Sequence, residues 1–276
     1  MNRTGTLIPR AWYYYGTTRR RLPAEAMSST PRFFVPPSAI QSDIVTLPSD
    51  AAHHAVAVLR MREGEEIVVH DNTGDGYRCR LSRIQSKAVA ATIESRYTVP
   101  TEPATRITVG QVLPKTGEKI EQVLQHGTEV GAAGFVLFQS ERSVARMEQK
   151  DKIEKRIERW QGIVQGAAEQ SGRGRLPTVE WERHAPDITR RIGEWDAAIT
   201  LHEGATLTLR DALQSERVAH ATRLLILVGP EGGFSDGEVA AFSGAGAFSV
   251  MLGARVLRTE TAALVALAQI LYARGE

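Results

Sequence analysis

The run Leu224–Leu225–Ile226–Leu227–Val228–Gly229–Pro230–Glu231–Gly232–Gly233–Phe234 decides the fold. An all-apolar segment stops there at a Gly-Pro-Glu-Gly-Gly turn. A continuous apolar run bounded by turn residues reads as a strand buried on both faces, the mark of a parallel sheet. Further on, Val250–Met251–Leu252–Gly253–Ala254–Arg255–Val256–Leu257–Arg258–Thr259–Glu260–Thr261–Ala262 repeats the order of strand, glycine and helix start. Upstream, Ala197–Ala198–Ile199–Thr200–Leu201 runs into His202–Glu203–Gly204. Glycines just past such strands let backbone approach a ligand closely. Ligands of open α/β sheets sit at the carboxyl ends of the strands. Three strand ends therefore define a candidate pocket: Leu201–Glu203, Val228–Gly233 and Leu252–Thr259.

The rest of the C-terminal part fits the same layer fold. Arg106–Val109 and Phe135–Phe138 read as strands, and Gly117–Val130 and about 150–171 as helices. In the first helix Ile120, Val123, Leu124 and Gly127 share a face, and Gly131 is a stop signal. Ser235–Asp236–Gly237–Glu238 is a capping-box start. Thr261–Ala273 is apolar nearly all round, so its helix is expected to be buried on more than one side, the second side being another subunit. The loop Ser171–Gly172–Arg173–Gly174–Arg175 has two readings of equal weight, a charged C-terminal cap or a phosphate contact.

Residues 31–98 differ in pattern. Short strands and turn clusters, with one helix over Ala51–Arg62, predict a small β-barrel. Tyr77–Leu81 alternates apolar and basic residues, which places Cys79 inward as a core thiol. The proline-marked stretch Thr98–Ala104 separates this part from residues 99–276. Residues 1–30, with Trp12–Tyr15 and Arg19–Arg21, show no core pattern and read as a mobile extension; Met27 is a second candidate for the initiator.

Composition narrows the function. With 42% hydrophobic and 24% charged residues the chain looks globular and soluble. No apolar stretch is long enough to span a bilayer. A single cysteine fits a reducing, cytoplasmic setting. The net charge of +2 hides an arginine-rich start: residues 186–276 carry eight basic and eleven acidic groups, −3. Net charge therefore says little about a polyanion partner, and any RNA contact rests on local arginines. No P-loop lysine, dinucleotide fingerprint or Gly-x-Ser-x-Gly elbow is present. His53 and His54 lack further ligands at metal spacing, so no metal is expected. Backbone groups at three strand ends, with Leu201, Leu252 and Leu257 as apolar walls, suit a neutral, adenosine-like ligand. The residues alone lead no further than an α/β enzyme that binds something flat.

Gly229–Pro230–Glu231–Gly232–Gly233–Phe234–Ser235, Leu252–Gly253–Ala254–Arg255–Val256–Leu257–Arg258–Thr259–Glu260–Thr261–Ala262, Glu141–Arg142–Ser143 and Glu169–Gln170–Ser171–Gly172–Arg173 closely resemble motifs of the SPOUT-class 16S ribosomal RNA uridine-N3 methyltransferases. The resemblance spans about residues 31–276. It departs from the family at His126, Gly127 and Val130, where lysine, alanine and leucine are usual, and residues 1–30 have no counterpart. It implies an N-terminal PUA-like RNA-binding domain and a C-terminal α/β domain tied in a trefoil knot. The C-terminal domain would bind S-adenosylmethionine and dimerise through the knot.

On that resemblance, Leu201, His202, Glu203, Val228, Gly229, Pro230, Gly232, Gly233, Leu252, Gly253, Leu257 and Thr259 would hold the cofactor. Glu169 would take the uracil N3 proton and Arg173 would supply a cation, with Arg258 on a phosphate or the target base. An exposed Glu169, and an Arg258 paired with Glu260 or Glu231, are the structural alternatives. Arg32, Arg60, Arg142, Arg173 and Arg175 would contact RNA. A noncatalytic ribosomal RNA binder and a SPOUT methylase of other specificity, such as a transfer-RNA ribose methylase, are the competing readings.

Overall fold

The computed structural model describes residues 30–85 and 88–276. The N-terminal extension, its aromatic and arginine runs and Met27 lie outside the described residues. So does Lys87.

The first sheet is built from β1 (Arg32–Phe34), β2 (Ile40–Gln41), β3 (Ile44–Leu47), β4 (Glu66–His70), β5 (Asp75–Gln85) and β6 (Ala88–Thr98). Its order is β1-β4-β5-β6-β3-β2, antiparallel except for β1 beside β4. Register shifts in β5 between Arg78 and Cys79, and between Leu81 and Arg83, bend the sheet around its core. Phe33, Val45, Ile67, Val69, Cys79, Leu81 and Ala91 fill that core. Burial pushes the Cys79 thiol up to about 12, so it is inert packing. Arg80, on the outer face, pairs with Glu94 and Glu66. The helix expected over 51–62 is shorter. Helix α1 (Ser49–His53) widens into a π turn over His54–Val58, and Arg60 ends it in the left-handed region at φ 56°.

The second sheet holds β7 (Arg106–Val112), β8 (Gly134–Gln139), β9 (Thr178–His184), β10 (Ala197–Leu201), β11 (Arg223–Val228) and β12 (Ala247–Val250). All its pairings are parallel, in the order β12-β10-β11-β7-β8-β9. Helices cover both faces, which is why β8 and β11 read as unbroken apolar runs. On one face α2 (Gly117–Val130), α3 (Lys150–Ser171) and α8 (Thr259–Ala273) bring Ile120, Leu124, Trp160, Val164, Leu267 and Ile270 onto Ile107, Val109 and Ile226. On the other, α4 (Ala185–Arg191) and α7 (Asp236–Gly244) bring Ile188 and Phe242 onto Leu225 and Leu227. Two short helices, α5 (Leu209–Gln214) and α6 (Glu216–Ala219), complete the chain. Gly131 caps α2 at φ 118°, and Ser235 and Glu238 form the expected capping box of α7.

Strand order reverses between β7 and β11. The chain steps from β7 to β8 to β9, then crosses to the other half of the sheet for β10, β11 and β12. From β12, at the edge, it recrosses to bring α8 against α2, β11 and β7. This recrossing is the part of the chain that the expected knot involves. It also sets the carboxyl ends of β10, β11 and β12 side by side at a topological switch point.

The two sheets meet at a polar seam. Arg173 is 4% exposed, and Glu102 accepts from its Nε at 3.2 Å and its Nη2 at 2.7 Å. The same arginine donates to the carbonyls of Thr128 and Ala132, and Glu102 also accepts from the backbone N–H of Gly174 and Arg175. The Asp71–Gly76 turn docks alongside, where Leu176 N donates to Asn72 Oδ1 at 2.7 Å. Against a Gly174 side chain, Val99 Cβ would stand at 2.6 Å, so glycine is required for the close approach. Buried His70 stacks edge-on against Phe34. Burial above all, with Arg32 adding, brings its pKa from 6.5 down to about 4, against the Arg173 carbonyl and the Asp71 and Glu102 carboxylates.

Breaking an enclosed ion pair leaves the partner charge uncompensated. Arg173→Met is expected to cost on the order of 3 kcal/mol, read by urea denaturation. For His70, the unfolded chain binds a proton between pH 6.5 and about 4 while the folded chain does not, so stability falls as pH drops through that window. Wild type should lose on the order of 3 kcal/mol more than His70→Leu across it, and equal slopes for the two proteins would disprove the assignment.

Candidate functional site

Three bends follow three adjacent strands. In the sheet, Thr200 pairs with both Leu227 and Ser249, and Leu201 pairs with Val250. The first bend begins at Leu201, half-buried, and His202 N donates to Val250 O at 2.9 Å, joining it to the third. Glu203 is exposed on its outer side.

The second bend turns on Gly233 N donating to Pro230 O at 2.9 Å, with Gly233 at φ 66°. Phe234, 2% exposed, packs edge-on against Phe242 and pins the turn to the core. Val228 and Pro230 are buried, while Gly232 and Gly233 face outward. A side chain at Gly229 would press on the backbone of Gly233 at 3.1 Å and Phe234 at 3.2 Å, so only glycine fits without moving the bend. Arg142 Nη1 donates to Gly232 O at 2.9 Å from the β8–α3 loop.

The third bend leaves β12 through Met251, whose N–H bonds Leu207 O at 2.9 Å, and runs through Gly253 at φ 149° to Thr259. Leu252 and Leu257 are half-buried, and a Cβ on Gly253 would meet open space. Thr259 then closes the site. Its Oγ1 donates to Gly229 O at 2.6 Å and accepts from Gln111 Nε2 at 2.8 Å. Gln111 is fully buried at the end of β7, so one polar chain links β7, the second bend and α8.

The charged groups around the bends are asymmetric. Glu231 accepts from Lys119 Nζ at 2.6 Å and from Lys115 N at 3.3 Å. Burial raises its pKa, and these bonds outweigh burial and leave it below the usual carboxylate range. Lys119 also lies 3.9 Å from Glu260. Arg258 is exposed, and among the described residues it pairs with neither Glu231 nor Glu260, both of which face Lys119 instead.

Glu169 and Arg173 are not with the bends. They lie at the amino ends of the strands, where Arg173 bonds the carbonyls that precede β8. That is about 20 Å from the carboxyl ends by strand length. Arg173, expected as a catalytic or RNA-contacting cation, is buried there and paired with Glu102. Glu169 is neither the exposed helix residue of the structural alternative nor a neighbour of the bends. It accepts from Phe34 N at 3.3 Å and Gln165 Nε2 at 3.0 Å, and burial raises its pKa against those two bonds. Arg32 and Arg175 also stand at the seam, Arg32 donating to the Glu169 carbonyl and Arg175 lying over Gly74. Arg60 is exposed on the first domain. A cavity lined by Pro103, Thr105, Arg106 and Leu176 opens at the same seam; Glu102, its carboxylate, is already saturated by Arg173 and backbone N–H groups.

Sequence reasoning passed over Gln111 and Lys119. Gln111 had a signal, a polar residue inside an apolar strand end. Lys119 had none, because its partners lie more than a hundred residues away.

An RNA methyltransferase domain family model matches residues 101–271, and an RNA methyltransferase PUA domain model matches residues 47–94. The ribosomal RNA small subunit methyltransferase E of Mycobacterium bovis is 37% identical over 232 residues, 82% of this chain and 86% of that protein. Its Bacillus subtilis namesake is 33% identical over 231 residues, 82% and 89% of the two chains. Among solved structures, a Legionella pneumophila methyltransferase with bound S-adenosylmethionine superposes at a TM-score of 0.79, with 31% identity over 89% of this chain and 98% of that one. The methyltransferase E of Neisseria gonorrhoeae, also bound to S-adenosylmethionine, gives 0.78 at 30% identity over 88% and 98%. The chain belongs to the RNA methyltransferase family that joins this catalytic domain to a PUA domain, the family of the ribosomal RNA small subunit methyltransferases E.

Proposed function

We propose that this chain methylates 16S ribosomal RNA of the small subunit with S-adenosylmethionine, at N3 of a uridine. Its relatives are named for methylation of that RNA, and two solved neighbours hold that cofactor. The observation that carries the reading is the Thr259 bond to the Gly229 carbonyl, which fixes the second and third bends into one cleft.

The residues present fit the cofactor. On this reading the backbone of Leu201, His202, Glu203, Val228, Gly229, Pro230, Gly232, Gly233, Leu252 and Gly253 lines the cofactor and offers hydrogen-bonding groups for an adenine edge. Leu201, Leu252 and Leu257 offer half-buried apolar walls. Bound there, S-adenosylmethionine supplies an electrophilic methyl group on a sulfonium. Uracil N3 carries a proton that must leave before or during transfer, and a cation near O2 or O4 stabilises the anion that forms. Arg258, exposed and without a carboxylate partner among the described residues, fills that cationic role. Arg142, bonded to the Gly232 carbonyl, is assigned to a phosphate. Arg32, Arg60 and Arg175 carry the RNA path across the first domain and the seam.

The apolar surface left on α8 and the third bend, with Tyr272 86% and Val256 74% exposed, supports a homodimer through this domain. No helix among the described residues is long and apolar enough to cross a membrane, and the reading is of a cytoplasmic enzyme.

Isothermal titration with S-adenosylmethionine should give saturable heat. Gly229→Ala should weaken affinity at least about tenfold while leaving the circular dichroism spectrum unchanged. Mass-mapping of 16S ribosomal RNA incubated with the enzyme and cofactor should find one 3-methyluridine. Ribose methylation, or no methylation, would overturn the assignment. Light scattering should give twice the chain mass.

A further inference from the structure

We propose that Glu260 takes the N3 proton of the target uridine. The inference rests on the uridine-N3 reading above and assigns the base that reading requires. Carboxylates near the bends are few. Glu203 is exposed on the outer side of the first bend, and Glu231 is held by Lys119 and the Lys115 N–H. Glu260 differs from both. Its side chain is only 12% exposed, and its Oε2 is buried with no hydrogen-bond partner. Buried polar atoms are almost always bonded, so a carboxylate oxygen without a partner calls for an explanation. Lys119 Nζ stands at 3.9 Å, close enough to balance charge and too far to bond.

Position agrees with the role. Glu260 follows Thr259, whose hydroxyl grips the Gly229 carbonyl, so its backbone is fixed to the second bend. It lies in the first turn of α8, where the helix dipole favours a carboxylate. Arg258, the exposed cation, is two residues earlier on the same turn of chain. Base and cation thus both stand where the third bend enters α8, one for the N3 proton and one for the charge at O2 or O4.

The step balances. The N3–H bond breaks, its proton passes to Glu260 Oε2, and its electron pair stays on N3. That pair forms the bond to the methyl carbon as the carbon–sulfur bond breaks, leaving its pair on sulfur. The proton then passes from Glu260 to water.

The test compares Glu260→Gln and Glu260→Asp with wild type in single-turnover methylation of 16S ribosomal RNA. Glu260→Gln should slow the chemical step about 10²- to 10⁴-fold, with the dissociation constants for cofactor and RNA unchanged. Glu260→Asp should recover part of the rate. The charged group facing this carboxylate is Lys119 on α2, which also holds Glu231 of the second bend, and Arg258 lies two residues before it in the chain. None of them predicts that the Gln defect narrows with rising pH, as uracil N3 ionises unaided, whereas loss of a base does. A Gln variant within threefold of wild type, a pH-independent defect, or a loss of cofactor affinity equal to the rate loss would overturn the proposal. If wild type itself makes no 3-methyluridine, the parent reading fails instead, and the two failures are told apart by the nucleoside product.

Discussion

One hydrogen-bonded chain organises the catalytic domain: Gln111 to the Thr259 hydroxyl, and that hydroxyl to the Gly229 carbonyl. It joins the end of a central strand, a glycine turn and the start of the last helix. Each member is buried or half-buried, so the groups have no water to fall back on, and an unmade bond there costs about 1–3 kcal/mol. The parallel sheet brings the strand ends together, and this link holds the end of the recrossing segment 251–258 against the turn. Gly229 is pinched by the backbone of Gly233, Gly233 takes a left-handed conformation, and Phe234 anchors both to the core. The bends are backbone-built and their shape is set by packing. Side chains are therefore left free for the chemistry.

Polar work is divided between the two ends of the strands. At the amino ends, Arg173, Glu102, Glu169 and Asn72 join the PUA domain to the methyltransferase domain, and the charges of Arg173 and Glu102 are spent on each other. At the carboxyl ends, among the described residues, Arg258 pairs with no carboxylate and Glu260 keeps one oxygen unbonded. A buried, saturated ion pair holds an interface; an incompletely satisfied carboxylate beside an unpaired guanidinium is poised to act on something else. The same residue types thus do opposite jobs, separated by the length of one strand.

The sequence disclosed the layers because their physics is local. Unbroken apolar runs in β8 and β11 require cover on both faces, and Gly131 and the Ser235–Glu238 box mark helix ends by their own chemistry. The strand-end bends were legible for the same reason. What was not legible depends on distant partners. Arg173 beside two glycines looks like a flexible cation, and only Glu102, brought back by the fold, turns it into a buried clamp. Glu169 looked catalytic from its motif, and β1 claims it through the Phe34 N–H. Lys119 reaches Glu231 and Glu260 across more than a hundred residues, a pairing no window of sequence contains. The π turn before Arg60 escaped because a helical pattern does not state which hydrogen-bond register it will take.

The central claim is that three bends, after β10, β11 and β12, grip one adenosine-bearing methyl donor. Amide hydrogen exchange with and without S-adenosylmethionine tests it most directly. The account predicts that the cofactor slows exchange together at 201–204, 229–234 and 251–258, and leaves the seam at 102–105 and 173–176 unchanged. Protection at the seam, or at one bend alone, would contradict it.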